Sequence, residues 1–375
     1  MNINAILQNI IAEGCGSPFY RLANAEGKAW LMPARHLRVG MELYQPSGRK
    51  GKLLKRLFPL LHRNPLVRHF IHVESLRCDL REEVRGHLSE LFGNRPLDFS
   101  IFCGTPCVHQ KITMQISVGE NILGYAKFTD ADHIARLFRR EAELLGELWQ
   151  KGMRHIPQPL FCGRLESGIT MFVQSTAKTL RAKTLHRWTP LHDEFLARLY
   201  ACTQQRLPFE QTDYYCTMQQ LCAHFDWLPD ADTQQAAQRA YGYIMQKWAG
   251  QTIDTGACHA DFTPWNTFLA HDHLYAFDWE YARRTYPLYL DRYHFFTQTA
   301  IFEKHWGAEE IKRYIHSEEG AWIDADTYIA YLLDAAARFT LREQQRVSGE
   351  AARPIRLWLD VLASLTPSPL PFVRS

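Results

Sequence analysis

His259, Asp261 and Asn266 fall together in HADFTPWN, and beyond a short apolar hairpin the chain places Asp278 and Glu280 in FDWE. These residue types at this spacing suit phosphoryl transfer. A phosphoryl group in flight asks for little covalent work; the site must hold Mg²⁺ against phosphate oxygens and set a hydroxyl in line. Magnesium takes one or two carboxylates together with waters and phosphate oxygens. Asn266 and Asp278, brought together by a tight hairpin, are the expected metal ligands. Asp261, five positions before Asn266, is free of that duty and is the expected catalytic base. His259 belongs to the same catalytic loop, and its expected task is to brace it through a hydrogen bond.

Elements that can position such a loop are legible on both sides of it. Between residues 97 and 177, DFSIFCGT, HQKITMQISV and ILGYAKFT read as three short strands, the second with alternating apolar positions. In DADHIARLFRREAELLGELWQKG, Ile134, Leu137, Phe138, Leu144, Leu145 and Leu148 recur at helical spacing, with Gly152 as the stop. Two further strands, around residues 159–165 and 169–174, complete a β-β-β-α-β-β order. From 178 to 375 the periodicity is mostly helical, interrupted by the loop and a strand-turn-strand that carry the chemistry. Residues 1–96 form an N-terminal extension of unknown role, with strand-like pieces near 19–22 and 28–32 and a helical pattern near 82–92. The expected class is α+β: a small antiparallel-sheet lobe with one main helix, a large helical lobe, and the extension.

His259-Ala260-Asp261 with Asn266, followed by Asp278-Trp279-Glu280, resembles the catalytic loop and metal-binding segment of the aminoglycoside phosphotransferase and choline kinase family, within the protein-kinase-like superfamily. An Asp followed by an aromatic residue and Glu is the small-molecule-kinase form of the protein-kinase Asp-Phe-Gly. The resemblance spans roughly residues 98–345 and implies a bilobal kinase-like fold. It also implies a strand lysine for the α- and β-phosphates and a helical carboxylate to hold it, and Lys127 and Glu141 match, with Glu143 as the competing acid. Gln174 and Ser175, with Ala126, Phe172 and Val173, would line the adenine cleft. Gly104 and Thr105, in GTPCVHQK, would cover the phosphates, although this loop has one glycine and Pro106 has no N–H to donate. Asp291 resembles the acidic residue that steadies the catalytic region. The implied cofactor is Mg²⁺, with ATP as donor and GTP as the alternative, and the implied acceptor is a hydroxyl on a sugar, aminocyclitol or similar alcohol.

Composition narrows the alternatives. Forty-three basic and 40 acidic residues, a net charge of +3, lack the footprint of a nucleic-acid binder. Nine cysteines, an odd number without paired spacing, fit a reducing cytoplasm better than a disulfide framework. The start lacks a secretory signal pattern and no apolar run is long enough to span a bilayer, so the reading is a cytoplasmic protein. Arg49, Lys50, Lys52, Lys55, Arg56, Arg63 and Arg68 alternate with Leu and Phe, and the segment is expected as a solvated helix face packed on a neighbouring lobe, with a helix that meets a membrane surface or an acidic partner as the alternative. Pro59 and Pro65 are expected to interrupt it. Three rival functions follow: a kinase of a glycan or lipid-linked saccharide at the membrane surface, a protein kinase, and a non-catalytic nucleotide-binding pseudokinase. The protein-kinase reading lacks an Ala-Pro-Glu anchor. A complete set of Lys127, Glu141, Asp261, Asn266 and Asp278 argues against the pseudokinase.

Overall fold

The computed structural model describes residues 3–46, 48–107 and 109–367. The chain divides into two compact units, residues 1–183 with 268–280, and residues 184–267 with 281–375. The expected division at 96/97 therefore falls inside the first unit.

An eight-stranded antiparallel sheet makes up the first unit: β1 (Ile11–Ala23), β2 (Ala29–Pro33), β3 (Glu74–Leu80), β4 (Asp98–Phe102), β5 (Ile112–Val118), β6 (Asn121–Thr129), β7 (Pro159–Arg164) and β8 (Thr170–Ser175). Its order is β3-β1-β2-β4-β5-β6-β8-β7. The pairing of β2 with β4, Trp30 opposite Phe102, makes the first three strands a continuation of the five expected from the sequence. The strands of the extension thus continue the same sheet. Its long strand β1 breaks register against β3 between Glu13 and Ser17. Gly16 permits that bulge: its φ is 74°, and a Cβ there would lie 2.5 Å from the Cys78 carbonyl oxygen.

The helices of this unit are α1 (Ile3–Ile10), α2 (Leu37–Gly40), α3 (Arg49–Leu61), α4 (Pro65–Phe70), α5 (Glu82–Phe92) and α6 (Asp132–Gln150). Helix α6 buries Ile134, Phe138, Glu141, Leu145 and Leu148, an apolar stripe with one acid set into it. Pro59 does not break α3, contrary to expectation: it sits in the last turn, so it removes one N–H bond just before the helix ends at Leu61. Pro65 opens α4 at a position where its missing N–H costs nothing, and the Asn64 side chain caps that helix by accepting from the Leu66 N–H.

The second unit is mainly helical: α7 (Pro190–Thr203), α8 (Asp213–Ala223), α9 (Ala231–Trp248), α10 (Leu290–Phe302), α11 (Ala308–Ile315), α12 (Ala325–Glu343) and α13 (Ala352–Leu365). A three-stranded sheet joins β9 (Gln205–Pro208), β10 (Thr252–Cys258) and β13 (Arg283–Pro287) in the order β13-β10-β9. Helix α12 is buried on every face from Tyr328 to Ala337, which makes it the centre of this core. The hairpin of β11 (Thr267–Ala270) and β12 (His273–Ala276) turns at His271 and Asp272, with φ of 47° and 64°, as a tight two-residue turn requires.

Candidate active site

In the first unit, Lys127 and Glu141 meet because a strand and a helix each bury one polar side chain in an apolar interface. Lys127 Nζ donates to both Glu141 carboxylate oxygens, at 3.0 and 2.8 Å, and to Asp278 Oδ1 at 2.8 Å. Glu141 Oε1 also accepts the Trp279 N–H at 3.3 Å. Glu143, the competing acid, is exposed. Burial alone would lower the Lys127 pKa, but Asp278, Glu141 and Glu280 outweigh it and raise the value above that of an ordinary lysine. Burial acts on Glu141 in the opposite sense, pushing its carboxyl up against the pull of Lys127. With three charge-assisted contacts at 3.0 Å or less, the ionised pair is the state the geometry supports.

Beside this cluster lies a cavity of about 140 Å³, bordered by Lys127, Asp278, Gln174 and Ser175. That is below the roughly 300–1,000 Å³ filled by whole ligands, and suits part of a nucleotide. Ala126, Phe172 and Val173 are buried in the sheet and lie outside the cavity lining. Gly104 and Thr105 are likewise not among the lining residues. Gly104 is needed for the shape of its own loop: φ is 77°, and a Cβ would meet the Lys111 carbonyl oxygen at 2.4 Å.

Sequence reasoning missed several walls of this cavity. Glu42 and Leu43 reach it from a 3-10 turn that follows α2, Gln45 from the loop after that turn, and Lys111 and Lys178 from elsewhere in the same unit. Glu42 Oε2 lies 3.4 Å from Lys55 and 4.0 Å from Lys178. Burial, with Lys55 nearby, lowers the Lys178 pKa despite Glu42. Lys111 pairs with Glu280, the last residue of the FDWE motif. No local signal marks these residues, because their neighbours are remote in sequence.

In the second unit, β10 delivers the loop of residues 259–266 to a buried carboxylate. Asp291 accepts the His259 N–H at 2.7 Å and the Ala260 N–H at 2.9 Å, and the Cys258 thiol at 3.3 Å. These bonds hold Ala260 in the left-handed region, with φ of 64°. Asp278, in the first unit, has the same kind of backbone, with φ of 66°. Helix α12 supports the loop as well: Arg338 donates to the Ala260 carbonyl at 2.6 Å and to Asp334 at 2.7 Å. His259 is fully buried, and its Nδ1 accepts the Asp261 N–H at 3.3 Å, a bracing contact.

Asp261 keeps a third of its side chain exposed, and each of its oxygens has a partner. Oδ2 accepts from Asn266 Nδ2 at 2.7 Å, and Oδ1 lies 3.1 Å from His294 Nε2. Tyr331 OH lies 3.3 Å from His294 Nδ1, so a neutral imidazole donating from Nε2 satisfies both neighbours. His294 was not legible from sequence: it lies 33 residues from Asp261. Asn266 also donates to the Asp261 carbonyl at 2.9 Å, which leaves its amide oxygen as the atom with metal-ligand chemistry. Asn266 and Asp278 flank the β11-β12 hairpin in the chain. An amide oxygen and a carboxylate oxygen are each the kind of hard donor that Mg²⁺ prefers. Among the described residues, no group of three or more His, Cys, Asp or Glu could hold a metal ion.

No protein-family model matches the sequence, and no curated protein does. Solved structures do match. Aminoglycoside phosphotransferase APH(4)-Ia aligns with a TM-score of 0.50 at 17% identity, covering 76% of this chain and 99% of that one. The fold is that of an aminoglycoside phosphotransferase. A thermostable mutant of APH(4)-Ia in ternary complex with ADP and hygromycin B gives the same TM-score, 0.50, and identity, 17%. Another, with AMP-PNP and hygromycin B, again reaches 0.50 at 17%, over 98% of its own chain. The aminoglycoside phosphotransferase fold thus accounts for about three quarters of the chain.

Proposed function

We propose that this protein transfers the γ-phosphate of ATP to a hydroxyl of a small molecule, a sugar, aminocyclitol or similar alcohol. The observation that carries the reading is the Lys127 ammonium held between Glu141 and Asp278 beside a cavity of nucleobase scale. A buried ammonium with two carboxylates is an expensive arrangement for stability alone. It is the arrangement that phosphoryl transfer needs for phosphate oxygens. The APH(4)-Ia complexes with ADP or AMP-PNP and hygromycin B support the same donor and acceptor classes.

In this reading Gln174 and Ser175 border the base, and Lys127, kept in place by Glu141, binds the phosphates. Asn266 and Asp278 would hold Mg²⁺, which when bound neutralises phosphate charge. Asp261 accepts the proton of the acceptor hydroxyl as its oxygen bonds to the γ-phosphorus; the bond from that phosphorus to the bridging oxygen breaks and ADP leaves. His294 and the Asn266 amide orient the Asp261 carboxylate, and His259 and Asp291 fix the loop. The test is titration calorimetry with ATP and with GTP, each with and without Mg²⁺, on the wild type and Asp278→Ala. Mg²⁺-dependent binding that disappears in the variant is the expected result. Absence of binding to either nucleotide would overturn the reading and favour a module without turnover.

A further inference from the structure

Helices α3 and α4 present a surface that neither a solvated helix nor the phosphotransfer reading explains. Nine large apolar side chains are exposed among the described residues, and six of them, Leu53, Leu57, Leu60, Leu61, Leu66 and Phe70, lie on these two helices. Helix α3 turns Leu54, Lys55 and Phe58 inward, with Phe58 buried, and leaves Lys52, Leu53, Arg56, Leu57 and Leu60 outward. Seven Lys and Arg occupy residues 49–68, while residues 43–73 contain no Asp or Glu. Among the described residues, the one ion pair made from this stretch is Lys55 with Glu42. Leucine and uncompensated cations therefore share one outward face.

We propose that α3 and α4 dock this protein onto the surface of an anionic bilayer. Lysine and arginine there meet lipid headgroups while the leucines and Phe70 enter the acyl boundary. No described helix is long and apolar enough to cross a membrane, so the contact lies in the interface plane. Self-association through this patch is disfavoured, because two copies would bring like charges together. The patch lies outside the clusters assigned to chemistry, so the proposal stands apart from the phosphotransfer reading.

The test is co-sedimentation of the full chain with vesicles of equal parts phosphatidylcholine and phosphatidylglycerol, against vesicles of phosphatidylcholine alone. Binding to the anionic vesicles, weakened by added salt, is expected. At roughly fivefold per charge, Lys52→Gln with Arg56→Gln lowers partitioning about 25-fold. Leu60→Ser with Phe70→Ser weakens it severalfold at unchanged charge, with circular dichroism confirming that these exposed substitutions leave the fold intact. Equal binding to both vesicle types, no binding to the anionic ones, or indifference to the apolar substitutions would overturn the proposal. So would a dimer, seen without vesicles, that the Leu60 and Phe70 substitutions abolish.

An independent observation bears on the acceptor and rests on the phosphotransferase reading. The second unit holds a cavity of about 310 Å³ whose lining includes Arg187, Arg292 and Lys304 and no Asp or Glu. Arg292 stands 4.4 Å over the Trp322 ring and 5.5 Å over Trp188, and Lys304 lies 5.9 Å from the Tyr314 ring. None of the three cations is in an ion pair among the described residues. Helix α10 carries Arg292 and also His294, the partner of Asp261, and its Phe295 ring lies 6.4 Å from Phe262, the residue after Asp261. We infer that the acceptor carries a phosphate or carboxylate beside its hydroxyl, the charge opposite to that of an aminoglycoside.

Tryptophan-fluorescence titration with glucose 6-phosphate, glucose and glucosamine reads this directly, and calorimetry with Mg²⁺-ATP runs beside it. The phosphorylated sugar is expected to bind about tenfold or more tightly than glucosamine, with the preference lost in Arg292→Gln and in the exposed Lys304→Glu. Glucosamine binding as tightly, no saturation by the phosphorylated sugar at millimolar concentration, or unchanged affinity in both variants would overturn the inference while ATP binding stands. Loss of ATP binding alone would instead remove the phosphotransferase reading.

Discussion

Lys127→Met should strand a carboxylate that has almost no other support. The Glu141 side chain is fully buried, and without Lys127 its remaining hydrogen bond is from the Trp279 N–H at 3.3 Å. Asp278, the other partner, is a third exposed, so water can take over its charge. The cost therefore concentrates on Glu141, and breaking one side of a buried ion pair costs about 3–5 kcal/mol. Replacing both members, Lys127→Met with Glu141→Met, removes the buried charges together and should be close to neutral. Urea unfolding followed by circular dichroism measures both, and since each variant loses the proposed phosphate ligand, the comparison reads stability rather than function. The sign of the pH dependence adds a check. A stranded Glu141 keeps its proton in the folded state to higher pH than in the unfolded chain, so the single variant's deficit shrinks toward pH ~5 and grows as pH rises. If the double variant is as unstable as the sum of the two singles, Lys127 and Glu141 are not coupled and the argument for a committed phosphate-binding pair fails.

Three further outcomes follow from the second unit. Burial lowers the His192 imidazole to about 4, so wild-type stability should fall by roughly 3 kcal/mol as pH drops from 6.5 through that value, because the unfolded chain takes up the proton first; His192→Gln should flatten this window in pH-dependent urea melts. Asp291→Ala removes the acceptor from two backbone N–H groups and a thiol, and a loss of about 3–5 kcal/mol is expected in thermal or urea unfolding. Asp261→Asn should keep nucleotide affinity by calorimetry while lowering turnover on the true acceptor by on the order of 10² to 10⁴, and full turnover in that variant would exclude Asp261 as base.

What the sequence made legible were groups whose purpose is local. Glu141 is an acid inside the apolar stripe of α6, at the spacing that buries Ile134, Phe138 and Leu145, and a charge in that position demands a partner. Asp261 and Asn266 share one tight loop, so their five-residue separation already brings them within reach, and the structure joins them at 2.7 Å. Glu42, Lys111, Lys178 and His294 left no such trace. Each belongs to its cluster only through strand pairing or helix packing across tens to hundreds of residues, and no periodicity records which distant segment a side chain will meet. The sheet illustrates the same limit: the strand character of residues 19–22 and 28–32 was readable, yet the pairing of the second of these strands with β4 was not, because edge-to-edge pairing is made by backbone groups that every residue shares. Helices α3 and α4 mark the opposite case. Their composition was readable, but composition alone does not say which residues of a basic, leucine-rich segment face the core. Burial of Phe58, with Leu57 and Leu60 left outward among the cations, decides that question and turns a compositional oddity into a surface with a predicted partner.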